Sequence, residues 1–166
     1  MNGTELHAEA AIEFEHMERV VNELQALRRD IGGRDPELRE TVAAGSFLMQ
    51  FYNGVENLMK RISKHHGVPV PAGKRWHADL FLRFCEPPLA PLPALFDAAL
   101  KEDMRPFRTF RHVARTSYGM DLDWDLVAVG IDALPDVFDR FRDAVTAHLM
   151  DLGESPPHGP DATDSD

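Results

Sequence analysis

The chain has 166 residues, the length of one domain, which leaves little room for a two-domain enzyme. Apolar residues make up 43% of it, and a chain this long buries about 68–70% of its unfolded surface, so a core can form without a metal or disulfide staple. With 18 Lys and Arg against 28 Asp and Glu, the net charge of -10 excludes a binder that works through overall positive potential and leaves nucleic acid only a local basic patch.

The opening Met1-Asn2-Gly3-Thr4-Glu5 is polar and acidic, unlike a signal peptide. Met17, Val20, Leu24, Leu27 and Ile31 then step by three and four, which predicts a long first helix ending at Gly32-Gly33. Asp35-Pro36-Glu37 supplies an N-cap, a proline at the first helical position and a first-turn acid, and so predicts the start of a second helix. Its stripe is Leu38, Val42, Gly45, Met49, Tyr52, Val55, Met59 and Ile62, running to about His66. Two long helices joined by a short turn should lie antiparallel.

Gly67 to Gly73 holds two prolines and two glycines in seven positions and reads as a connector. A short helix follows from Trp76 to Cys85. Cys85 is the one cysteine, which excludes an internal disulfide framework and suits a reducing, cytoplasmic setting. After Pro87-Pro88, Pro91 and Pro93, a helical stretch is expected from about Leu92 to Tyr118, with a kink or junction at Pro106 and a stop at Gly119. Asp123-Trp124-Asp125 opens a short turn, and Leu134, Phe138, Phe141, Val145, His148 and Leu152 trace a last helix. No period-two strand pattern occurs, and no apolar run approaches the roughly 18 residues of a membrane span.

The expected architecture is therefore all-α: an antiparallel up-and-down bundle of about five helices over residues 1–152. An acidic tail over 153–166, with three prolines and no basic residue, is expected to be disordered. Setting aside Asp151, Glu154, Asp161, Asp164 and Asp166 leaves 23 acids against 18 cations, or -5 for the first 150 residues.

The local sign reverses between Lys101 and Arg115, where Lys101, Arg105, Arg108, Arg111, Arg115 and His112 meet only Glu102 and Asp103. At 100° per residue, Arg105, Arg108, Arg111, His112 and Arg115 share one helix face, opposite Phe107, Phe110, Val113, Ala114 and Ser117. Stacked cations repel, so carboxylates from neighbouring helices, solvent or a phosphate ligand must offset the cost. Facing acids are the commoner explanation of such stripes. Arginine also offers planar forked donors to phosphate oxygens, and histidine can move protons near neutral pH, so the spacing admits a phosphodiester site as well. Glu56 and Asn57 lie mid-way along the second helix, where they could orient the arginines. Glu13 and His16 form a Glu-x-x-His, a di-iron ligand spacing that requires a second copy the chain lacks. His65-His66 and His77 flank the connector as a weak metal candidate. No metal or cofactor is called for.

Three blocks carry a resemblance: Tyr52 to Ile62 (YNGVENLMKRI), Trp76-His77-Ala78-Asp79-Leu80, and Phe110 to Tyr118 (FRHVARTSY). In order and spacing they resemble the HepT-like branch of the HEPN superfamily, over about Phe51 to Leu152. The resemblance implies a small all-helical homodimer, one half of a type II or type VII toxin–antitoxin pair, whose Arg105 to Tyr118 helices meet across a two-fold axis. It implies a ribonuclease partnered by an MntA-type nucleotidyltransferase antitoxin, acting on RNA ends or loops.

The family's signature is an arginine, usually a polar residue next, a histidine after four to six intervening positions, and often a tyrosine two residues later. Arg111, His112 and Tyr118 fit that frame, with Arg105, Arg108 and Arg115 as substrate contacts, Glu56 orienting and Tyr118 receiving adenylyl groups. Thr116 stands where the histidine belongs. A second register, Arg105 to His112, restores the spacing but loses the tyrosine. In metal-independent cleavage the 2′-OH attacks phosphorus while a histidine moves protons and arginine stabilises the phosphorane. Threonine cannot serve as that acid or base, and the step it would supply is typically worth about 10²–10⁴-fold. The alternative is a non-catalytic helical module that binds a nucleotidyltransferase and is modified at Tyr118. Without any resemblance, Tyr118 would read as a helix-end ring packed in the core.

Overall fold

Helix formation begins at Asn2, whose side chain accepts the Glu5 N–H at 2.8 Å while the Glu5 carboxylate accepts the Asn2 N–H at 3.0 Å. This reciprocal cap places the start of α1 (Gly3–Ile31) well ahead of the apolar stripe that announces it. The computed structural model describes residues 2–154, and four further helices follow: α2 (Leu38–His65), α3 (Trp76–Arg83), α4 (Ala98–Ser117) and α5 (Trp124–Glu154). No strand occurs among the described residues; one isolated bridge joins Cys85 and Phe96.

Gly32, at φ 59°, turns the chain out of α1. The expected cap at Asp35 is not used. Glu37 caps α2 instead, because its N–H is accepted by the Glu40 carboxylate at 2.7 Å and Arg34 fixes Glu40 from outside at 2.6 Å. α3 stops at Arg83, short of Cys85.

Leu92, Leu95 and Phe96 are buried, but in a loop rather than a helix. The Phe84 carbonyl accepts the N–H groups of Leu95 and Phe96, and Phe96 O accepts that of Glu86, so the segment doubles back onto the end of α3. α4 begins only where Asp97 accepts the Leu100 N–H at 2.7 Å. It then runs through Pro106 without a break and ends with Tyr118 in the left-handed region, φ 57°, followed by Gly119 at φ 82°.

α5 likewise passes through Pro135, where a separate turn and helix were expected. A proline at 135 removes the N–H that would reach the Ile131 carbonyl. The Gln25 amide of α1 donates to that carbonyl at 2.6 Å instead. α5 continues through Gly153 and Glu154, and the rest of the expected tail lies outside the described residues.

The four long helices form a ring in the order α1, α2, α4, α5, each antiparallel to its neighbours. Register pairs show this directly. Along α1 and α2, Met17 meets Gly54, Glu13 meets Asn57 and Glu9 meets Arg61. Gly45 faces Ala114, while Phe51 faces Phe107 further along α2. Phe110 covers Gly130, and Asp103 reaches Arg140. Phe51 is central, edge-on to Phe107 at 5.5 Å and to Phe138 at 6.2 Å. α3 lies outside the ring against α2, with Phe81 packed between Phe96 and the Arg108 guanidinium. No described helix is long and apolar enough to cross a membrane.

Candidate functional site

Asn53 and Glu56 are three residues apart on α2 and so share a face. Glu56 is buried, its side chain 3% exposed, and a carboxylate there must be paired. His77 of α3 supplies one partner, with Nδ1 at 2.6 Å from Glu56 Oε1. Arg111 of α4 supplies the other, with Nη2 at 3.5 Å from Oε2. The Arg111 Nε–H donates to Asn53 Oδ1 at 3.3 Å, and its Nη2 lies 3.5 Å from His77 Nε2. A carboxylate can only accept, so Nδ1 of His77 carries the hydrogen and its Nε2 is left as the acceptor when the ring is neutral. Trp76 stacks on the His77 ring with centroids 3.5 Å apart, and Lys60 lies over Trp76 at 5.1 Å. The imidazole is thereby fixed at both its edge and its face.

Above this cluster opens a cleft of about 350 Å³ between α2, α3 and α4. Lys74, Arg75, Arg108, Arg111 and Arg115 line it against one carboxylate, Glu56, together with His77, His112 and Tyr52. Lys74, Arg75, Arg108 and Arg115 form no ion pair among the described residues; Arg108 lies over the Phe81 ring at 4.3 Å. The Tyr52 hydroxyl is buried without a hydrogen-bond partner among the described residues, and burial pushes its phenol well above the ordinary range. An acidic chain thus places four cations that are unpaired among the described residues on one concave surface.

A family model described as HepT-like protein matches residues 43–152, about two thirds of the chain. The chain belongs to the HepT-like family. No curated protein and no solved structure matches it. HepT-like proteins are members of the HEPN superfamily, and the membership suggests a toxin–antitoxin component. The matched region takes in most of α2 and all of α3, α4 and the cleft, whereas α1 lies outside it.

Arg108, Arg111, His112 and Arg115 line the cleft together. Arg105 does not: it is exposed and held by Glu102 one turn back, at 2.9 Å. Thr116 is exposed, does not line the cleft, and donates its hydroxyl to His112 O at 3.0 Å. Tyr118 is 79% exposed, so its ring is not a core residue.

Glu56 lies beside Arg111, at 3.5 Å, but Asn57 does not reach it. Asn57 turns toward α1 and donates to Glu13, which also pairs with Arg61; Asn53 accepts from Arg111 in its place. The histidines grouped by the sequence as a weak metal candidate part company. His77 goes to Glu56, while His66 Nε2 lies 3.1 Å from His148 Nε2 on α5. Among the described residues, no group of three or more His, Cys, Asp or Glu is placed to hold a metal ion. His77, Asn53, Lys74 and Arg75 are the site residues that sequence reasoning missed in this role. The resemblance blocks that contain Asn53 and Trp76-His77 were the signals that pointed to two of them.

Proposed function

We propose that this cleft holds the phosphodiester backbone of RNA and that the protein is a metal-independent endoribonuclease, or a degenerate relative of one, in a toxin–antitoxin pair. The observation that carries the reading is the convergence of five cations on a concave surface with one carboxylate. In this reading Arg111 stabilises charge on the phosphorane, His112 moves protons, and Arg108 and Arg115 hold flanking phosphates. Arg105, outside the cleft, contributes at most to a longer substrate. Thr116 cannot replace the signature histidine, since its hydroxyl neither titrates near neutral pH nor points into the cleft.

The functional unit in this proposal is a homodimer, regulated by an MntA-type nucleotidyltransferase that modifies Tyr118. The exposure of that phenol supports the assignment, since a transferase can reach it. An adenylate there would place anionic phosphate a few residues from Arg115 and compete with RNA. One observation favours a second reading, a non-catalytic module that serves its partner through Tyr118: the motif position carries Thr116.

Incubating the purified protein with tRNA and with messenger RNA in the absence of metal separates the two. Cleavage abolished by Arg111→Ala or by His112→Ala supports the nuclease. No cleavage by any form, with adenylate found on Tyr118 by mass spectrometry after co-expression, supports the module.

A further inference from the structure

The signature histidine is missing at position 116, yet one imidazole stands against the signature arginine from a different helix. His77 is the only histidine in contact with Arg111 among the described residues, and the only one whose tautomer is fixed by a buried carboxylate. His112, on the same helix as Arg111, is exposed, and its ring makes no hydrogen bond among the described residues. We infer that His77, set by Glu56, is the general base of this site, in place of the histidine lost from α4. The inference rests on the RNA-cleavage reading above and reassigns its proton carrier.

The chemistry balances within the chain and its substrate. A phosphate entering the cleft draws the Arg111 guanidinium onto its non-bridging oxygens and frees His77 Nε2. Nε2 takes the proton of the ribose 2′-OH, and the 2′-oxygen forms a bond to the adjacent phosphorus. The bond from phosphorus to the 5′-oxygen breaks, and that oxygen leaves with a proton supplied by His112 or water. The products are a 2′,3′-cyclic phosphate and a 5′-hydroxyl. The imidazolium formed on His77 faces the Glu56 carboxylate, 3% exposed, which stabilises the new charge through the 2.6 Å bond to Nδ1. Trp76, stacked on the ring, keeps it from rotating away.

The test compares wild type, His77→Ala and His77→Gln on a mixed-sequence single-stranded RNA, with the 2′-O-methyl version of the same strand as a binding probe that cannot be cleaved. His77 carries the proton if His77→Ala loses about 10²–10⁴-fold in cleavage while the probe binds as before, and if added imidazole restores part of the rate. His77→Gln, which keeps a donor for Glu56, should fold and bind like wild type and be equally slow. Cleavage by wild type that survives both substitutions overturns the inference and leaves the nuclease reading intact with His112. A loss of cleavage that imidazole does not rescue, with binding lost in parallel, also overturns it, because the ring is then structural. A wild type that binds the probe but cleaves no RNA overturns the nuclease reading and this inference with it.

Discussion

The bond from Gln25 to the Ile131 carbonyl makes a quantitative prediction about how α5 survives a proline in its interior. Gln25→Met keeps the length and helix propensity of the side chain and removes only the amide. Ile131 O, on a buried residue, then has neither the N–H that Pro135 lacks nor the 2.6 Å bond from Gln25. Leaving such a group unsatisfied costs about 1–3 kcal/mol, and partial access of water at this half-buried edge puts the expected loss at about 1–2 kcal/mol. Pro135→Ala restores the backbone donor, so in that background the same Gln25 substitution should cost less than about 0.5 kcal/mol. Urea unfolding of the four proteins closes the double-mutant cycle, with an expected coupling of about 0.5–2 kcal/mol. Costs that simply add, to within about 0.3 kcal/mol, would refute the claim that Gln25 replaces the missing donor.

Acid should weaken the fold through the paired histidines at the far ends of α2 and α5. Burial, and then His66, push His148 down to about 4, Asp151 opposing, while burial and His65 lower His66. The folded state therefore binds fewer protons than the unfolded chain below the ordinary value of 6.5, and stability is lost as pH falls from 6.5 toward 4. The full His148 shift is worth about 2 kcal/mol between roughly pH 7.5 and pH 5, and about 1 kcal/mol after allowance for solvent screening of a partly buried ring. His148→Gln should flatten that dependence by this amount in urea titrations at the two pH values; an unchanged slope would remove the histidine pair as its cause. At Gly54 an added Cβ would sit 2.5 Å from Met17 Cγ. The overpacking cost of about 1–3 kcal/mol outweighs the roughly 1 kcal/mol that alanine gains in a helix, so Gly54→Ala should lower the urea midpoint, and a raised midpoint would show that α1 yields freely.

The helical class, the antiparallel first pair and the stop at Gly119 were legible because they rest on local chemistry: a 3.6-residue stripe, adjacent glycines, a left-handed exit. Where the chain was misread, a distant partner had settled the matter. Pro135 disfavours a helix in isolation, and Gln25, 110 positions earlier, supplies a donor to the carbonyl that the proline leaves open. Leu92, Leu95 and Phe96 have the spacing of a helix face, but Phe84 captures their backbone in a loop. At the site, helical phase alone placed Arg108, Arg111, His112 and Arg115 together. It also included Arg105, since phase says nothing of the Glu102 that holds it. His77 could be recognised as a residue of interest but not as Glu56's partner, because the pairing spans a connector and two helices.

Glu56 has a consequence for what the cleft will accept. Because that carboxylate already engages Arg111, any lone anion arriving at the guanidinium meets an incumbent, and the exchange of one negative group for another yields little net attraction. A chain of linked charges is treated differently. While one of its phosphates displaced the incumbent, its neighbours would reach Lys74, Arg75 and Arg115, which form no ion pair among the described residues. Under the proposed function, displacement of Glu56 from Arg111 would be offset only for a ligand whose other phosphates engage these cations at the same time, so the Arg111 subsite would favour a polymer over a single anion.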